Sequence, residues 1–320
     1  MRSFETIVPG KWILAGEHSV LRGSRALAFP LTSRQARFQY IPKYMYANTD
    51  ELTGGISVSE AGTAADSESS QLELRLEGPH GAELEVLLWG LIDRICDQLN
   101  LRRSHFSGIL KVHNSIPVGA GLGASAAVCV GMTRWLSHLG FVDKEGIPGF
   151  ARSLEDLFHG ESSGVDIAVV AQEAPVSFRR HQPLEKVNIS WRPNLYLSYS
   201  GQRGVTVQCV EKVKGLIKSS PEMGASLDWE MAQAVDQCIS AFAMDYAQGL
   251  KELTGGIDRA RKCFHDWGLV TAGAQKLMND LTQAGALAVK PTGSGNGGFV
   301  LSLWDEKSPP PERLQLIPCF

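Results

Sequence analysis

The chain has 320 residues, of which 43% are hydrophobic and 20% charged, enough to bury one large core or, as expected here, two. Its formal net charge is -3, with 31 Lys and Arg against 34 Asp and Glu, and no basic run stands out. This balance gives no support for nucleic acid or an anionic membrane as the main partner, and a small-molecule substrate is expected instead.

The six cysteines, Cys96, Cys129, Cys209, Cys238, Cys263 and Cys319, form no C-x-x-C pair, so they read as reduced thiols of a cytoplasmic protein. No stretch is a signal h-region or an apolar run of the ~18 residues that a membrane span requires. From the N-terminus, Phe4 to Val8 alternates like a strand, Pro9-Gly10 reads as a turn, and Lys11 leads the apolar run W-I-L-A-G. A lysine entering a buried strand is unusual, because an unpaired buried ammonium costs several kcal/mol; on local grounds a lysine snorkelling to water is an equal alternative. Gly16-Glu17-His18-Ser19 follows and would alone pass for an ordinary turn.

Ala26 to Leu31 and Arg37 to Tyr40 predict further strands of an antiparallel sheet, and the polar stretch Asn48 to Ser70 predicts a long loop. Leu72, Leu74 and Leu76 alternate as a strand; Glu83 to Asn100 carries a helical apolar stripe; Gly108 to Asn114 is a strand. That strand opens into Ser115 to Val130, S-I-P-V-G-A-G-L-G-A-S-A-A-V-C-V, where Pro117, Gly119, Gly121 and Gly123 forbid regular structure and Ser125 begins a helix. A glycine loop meeting a helix N-terminus supplies backbone donors and a positive dipole end, which suits a polyphosphate.

Pro148 to Phe158 has helical spacing with Glu155 off its apolar stripe, and in H-G-E-S-S-G-V-D a cap at Ser162 or Ser163 puts Asp166 in the first turn of another helix. Taken alone, Glu155 reads as a solvated helix face and Asp166 as a helix-dipole residue. Strands are predicted at Val176 to Arg179 and Asn194 to Ser200, with a domain boundary near residue 185. Helices follow at Val210 to Lys218, Leu227 to Leu250, Asp258 to Trp267 and Thr271 to Ala284. A second glycine cluster, K-P-T-G-S-G-N-G-G-F from Lys290 to Phe299, precedes the strand Val300 to Trp304. No G-x-x-x-x-G-K-[ST] is present, which excludes a Walker P-loop, and neither glycine cluster has the context of a dinucleotide fold.

Three segments in order, P-G-K-W-I-L-A-G-E-H-S-V-L at Pro9 to Leu21, P-V-G-A-G-L-G-A-S-A-A at Pro117 to Ala127 and K-P-T-G-S-G-N-G-G at Lys290 to Gly298, resemble the motifs of the GHMP kinases. The segment F-H-G-E-S-S-G-V-D and the G-E-H of the first motif are similar to those of the mevalonate kinases within that superfamily. The resemblance implies an α+β fold of two domains. Residues 1–185 would form an ATP-binding domain like domain 2 of ribosomal protein S5, containing a left-handed βαβ unit; residues 186–320 would form a ferredoxin-like α+β domain.

It also implies ATP and Mg²⁺ as cofactors and phosphorylation of the 5-hydroxyl of mevalonate. Asp166 matches the family's base and Lys11 the cation beside it; Pro117, Gly119, Ala120, Gly121, Leu122, Gly123, Ala124, Ser125 and Ala126 match the nucleotide loop. Ser125 and Glu155 match the metal ligands, while His18, Glu17, Gly293, Ser294 and Gly295 match the acceptor side. Another small acceptor (a sugar, phosphomevalonate or a hydroxy acid) and a non-catalytic sensor on the same fold are the alternatives. Monomer and homodimer both stay open. Ala124, Ser162 and Asn296 depart from the family pattern, and Thr206 is given no role.

Overall fold

The computed structural model describes residues 2–43, 72–78, 81–159 and 162–320; the polar stretch Asn48 to Ser70 and residues 160–161 lie outside these. The first sheet is built on one long strand. Strand β1, Phe4–Ala15, and strand β2, Ala26–Ile41, pair antiparallel along almost their whole length. The expected turn at Pro9-Gly10 is instead an irregularity inside β1, where pairing slips from Pro9 opposite Gln35 to Gly10 opposite Leu31. Among the described strands β1 pairs with β2 alone, so it can carry a proline that donates no hydrogen bond. The two short strands expected at Ala26 to Leu31 and Arg37 to Tyr40 are likewise halves of β2.

The other edge of β2 takes two partners. Its C-terminal half pairs with β4, Gly108–Asn114, and its first residues pair with β5, Val176–Phe178, which continues to β6, Glu185–Lys186. Strand β3, Leu72–Glu77, runs parallel to β4, and helix α1, Gly81–Leu99, makes the crossover between them. Helices α2, Ala124–His138, α3, Ile147–His159, and α4, Val165–Gln172, complete this half. Helix α2 lies so close to the sheet that a Cβ on Gly131 would sit 2.2 Å from the Phe38 ring.

The second sheet has the order β10-β7-β9-β8, all antiparallel, from β7, Asn194–Tyr199, β8, Ala288–Thr292, β9, Phe299–Trp304, and β10, Ile317–Pro318. Its helices are α5, Thr206–Ser219, α6, Pro221–Phe242, α7, Tyr246–Asp266, and α8, Ala272–Gln283. The single helix expected from Leu227 to Leu250 is two. The chain breaks at 243–245, where the Asp245 carboxylate accepts from the backbone N–H of Ala247 and Gln248 and so caps α7. Strand β8 was not expected; it places the second glycine cluster in the hairpin to β9.

One buried cluster joins the two halves. Trp12 of β1 stacks on Phe29 of β2 at 4.5 Å between centroids, and Phe29 in turn meets Phe242 of α6 at 5.6 Å. Strand β1 is therefore buried from Val8 to Ala15 although it is an edge, because helices of both halves and β8 cover it.

Candidate active site

Lysine 11 enters the site through the backbone of β1. Its ladder partner is Pro30, and its N–H turns instead to the glycine loop, donating to the Leu122 carbonyl at 2.9 Å. That bond anchors the loop to the strand. The ammonium does not snorkel: Lys11 is 3% exposed, and its Nζ lies 2.9 Å from Asp166 Oδ2. Pairing removes the cost of burying a lone ammonium. Asp166 sits in the first turn of α4 as expected, although the cap is Gly164 rather than a serine. Ser162 and Ser163 instead accept from the N–H groups of Gly164 and Val165, shaping the approach to the helix.

The loop from β4 to α2 places Gly119, Gly121 and Gly123 at φ between 71° and 83°. The first i to i−4 bond of α2 is Ala127 N–H to Gly123 O, so the N–H groups of Ala124, Ser125 and Ala126 precede that ladder at the helix start. The glycine hairpin of the second sheet closes on this loop. A Cβ on Gly293 would lie 3.4 Å from Gly121 O, and one on Gly298 would lie 3.1 Å from Ala120 O. Pro117, Leu122 and Ala120 shape the same turn, and the Arg203 side chain lies beside Gly119.

Glu155, on α3, is turned inward and 2% exposed, against its local reading as a solvated residue. Burial, reinforced by the nearby Asp166 carboxylate, raises its pKa to about 8, while a hydrogen bond from Ser162 Oγ at 3.1 Å and the charge of Lys11 oppose that rise. Its charge also reaches Cys129, whose thiol is pushed up chiefly by burial. Cys129 lies one helical turn beyond Ser125 on α2, so Ser125 and Glu155 belong to facing stretches of α2 and α3.

No group of three or more His, Cys, Asp or Glu suited to a metal occurs among the described residues. One buried carboxylate on α3, packed against the helix whose first turn holds Ser125, still fits a hard cation that keeps its own waters and takes phosphate oxygens. The raised pKa of Glu155 has a measurable consequence. Its carboxyl holds in the folded state a proton that the unfolded chain releases near 4.5, so this stability is full below 4.5 and is lost as pH rises through about 8. The melting temperature measured without divalent cation should fall over that window, and Glu155→Gln should flatten the curve; parallel curves would exclude the protonated carboxyl.

His18 occupies φ 59° and ψ -48°, a region that residues other than glycine seldom adopt. Its Nε2 lies 2.8 Å from the Ser294 carbonyl, which can only accept, so this nitrogen carries the proton. Burial lowers its pKa to about 4, leaving the ring neutral at ordinary pH. The Trp267 and Phe264 rings wall it edge-on, with centroids 5.2 and 6.1 Å away.

Glu17 departs from its expected place on the acceptor side. Its carboxylate turns inward to Lys290 Nζ at 2.5 Å. Sequence reasoning gives Lys290 no role, although a lysine within an otherwise buried strand is the same signal that marks Lys11. Thr206 was given no role, yet its hydroxyl lies 3.4 Å from Ser294 Oγ. Gly295 is held by its carbonyl, which accepts from Cys209 Sγ at 3.5 Å. All six cysteines are buried and none is in a disulfide, and no helix among the described residues is long and apolar enough to cross a membrane.

Residues 87–173, which hold the glycine loop, Ser125, Glu155 and Asp166, match the model of the GHMP kinases N terminal domain. The chain is 28% identical over 309 residues to the mevalonate kinase of Thermococcus sibiricus, covering 93% of this chain and 88% of that one. It is 29% identical over 306 residues to the mevalonate kinase of Pyrococcus horikoshii, covering 92% and 87%. Among solved structures, the L. major mevalonate kinase in complex with R-mevalonate superposes with a TM-score of 0.73 at 20% identity, over 95% of this chain and 88% of that one.

Proposed function

We propose that the chain, whose residues 87–173 match the GHMP kinases N terminal domain and which is similar over most of its length to mevalonate kinases, phosphorylates the 5-hydroxyl of mevalonate with ATP. The observation that carries this reading is the Lys11–Asp166 pair at 2.9 Å, set against the glycine loop by the bond from Lys11 N–H to Leu122 O.

The nucleotide polyphosphate would lie along Gly119 to Ser125, met by the N–H groups at the start of α2. Asp166 is the base: it takes the hydroxyl proton as the acceptor oxygen bonds to the γ-phosphorus, and the bond from that phosphorus to the β,γ-bridging oxygen breaks, leaving ADP. Lys11 stabilises the forming alkoxide and the transferred phosphoryl oxygens. Ser125 and Glu155 would hold Mg²⁺, which supplies charge neutralisation on the phosphates when bound. His18, neutral and edge-on to Trp267, faces the acceptor with the Gly293 to Gly295 turn, which helps exclude water.

The test is a coupled ADP-release assay with MgATP across mevalonate, phosphomevalonate, sugars and other hydroxy acids. Turnover with mevalonate above the others is the expected result. Sugar or phosphomevalonate turnover with no mevalonate activity would reassign the acceptor, and nucleotide binding without turnover of any acceptor would favour a sensor.

A further inference from the structure

We propose that Lys290, acting through Glu17, is a positioning residue that seats His18 and the catalytic end of β1. This rests on the phosphoryl-transfer reading given above. The observation is a set of contacts made by the end of β8 and the turn after it. Lys290 and Thr292 lie two apart on β8, so one face of the strand presents both, and Ser294 follows in the turn beyond the strand.

Each meets the end of β1 or the turn that follows. Lys290 Nζ binds Glu17 Oε1 at 2.5 Å and approaches the Ile13 carbonyl at 3.5 Å. Thr292 Oγ1 donates to the Ile13 carbonyl at 2.8 Å and accepts from the Ile13 N–H at 3.3 Å. Ser294 O accepts from His18 Nε2 at 2.8 Å. Pairing of β1 with β2 becomes irregular between Ile13 and Ala15, where Thr292 takes both backbone groups of Ile13. Lys11 lies two residues upstream on the same strand, and His18 immediately follows Glu17.

Positioning explains the pair better than stability does. Lys290 is 0% exposed and Glu17 2% exposed. A buried ion pair seldom stabilises a fold more than well-packed apolar side chains of similar volume, because both ions must be desolvated. The second Glu17 oxygen, Oε2, has no hydrogen-bond partner, so the pair is not optimised for burial. What it does is fix a turn. The His18 backbone lies in a strained region, and such a conformation persists only where its surroundings over-determine it. Lys290 holds the residue before it, Ser294 holds its ring, and the Phe264 ring, 5.2 Å from Lys290 Nζ and edge-on to His18, closes the remaining side.

The experiment compares Lys290→Met, Glu17→Gln and the double variant with the parent, using acceptor kcat/KM, MgATP affinity and the ¹⁵N-histidine spectrum, with the His18 signal assigned by His18→Gln. In Lys290→Met, acceptor kcat/KM should fall by about 10- to 100-fold with MgATP affinity unchanged, and the His18 signal should shift. The double variant should be no worse than Lys290→Met, because the two residues act as one unit. A Lys290→Met protein with kcat/KM within about twofold of the parent and an unmoved His18 signal would overturn the proposal. Should Lys290→Met fail to fold, Glu17→Gln, which conserves volume, decides by the same two readouts. A parent that turns over no acceptor sinks the phosphotransferase reading, and the His18 signal alone then decides whether Lys290 seats that residue.

Discussion

Replacing Asp166 with asparagine should lower kcat by about 10³-fold while MgATP still binds within a few-fold of the parent. The substitution keeps the shape of the side chain and a hydrogen-bond acceptor for Lys11, so the α4 turn has no reason to rearrange. What it removes are two properties of the carboxylate: accepting the hydroxyl proton and carrying a charge opposite Lys11. The nucleotide loop is anchored independently, by the bond from Lys11 N–H to Leu122 O, which survives the change.

A modest fall in melting temperature should accompany the loss, because Lys11 is 3% exposed and its ammonium then faces a neutral partner. Steady-state turnover with the preferred acceptor, nucleotide titration and thermal melting together read these three effects. Turnover within about tenfold of the parent would exclude Asp166 as the base, and a comparable loss of nucleotide affinity would move its role to binding.

The parts of the site that could be read from the sequence are those whose chemistry is concentrated in a few consecutive residues. Glycines at alternate positions before a run of small helix formers announce a loop on a helix start whatever surrounds them. Lysine 11 drew attention because it interrupts an apolar run. What is not legible locally depends on partners far away along the chain. Lys290 and Glu17 are 273 residues apart, and nothing local to Gly16-Glu17-His18 says that the carboxylate turns inward rather than toward the acceptor. Strand β8 is hidden because Pro291 and the glycines after it read as loop, although the strand pairs with β9 from Ala288 to Thr292. The break between α6 and α7 was hidden by an apolar stripe that continues in phase through Phe242 and Tyr246, so that only Asp245, a capping residue, marked the start of a new helix. Glu155 has no local signal of burial; its inward turn follows from how α3 packs on α2.

Gly123→Ala should cost about 10²-fold in kcat in a protein that remains folded, because the added methyl group displaces the catalytic lysine. Gly123 has φ 78°, which costs an L-residue about 1 kcal/mol or somewhat more. Its Cβ would stand 2.6 Å from Lys11 Cγ, closer than real contacts allow. The lysine stem cannot simply step aside. Its backbone is tied to the Leu122 carbonyl at one end and its ammonium to Asp166 at the other, so relief comes by breaking one of these. Losing the first loosens the glycine loop and weakens nucleotide binding; losing the second parts the base from its cation and lowers kcat.

Gly140→Ala is the matched control. Gly140 has φ 84° and no atom within 4 Å of its would-be Cβ, so it incurs the same backbone strain without the clash. Both variants should melt below the parent, Gly123→Ala further because it also loses one of the Lys11 bonds, and only Gly123→Ala should lose turnover. Equal activity in the two would mean that the loop yields to the methyl group without moving Lys11. The close seating of glycine against lysine would then have no part in holding the catalytic pair.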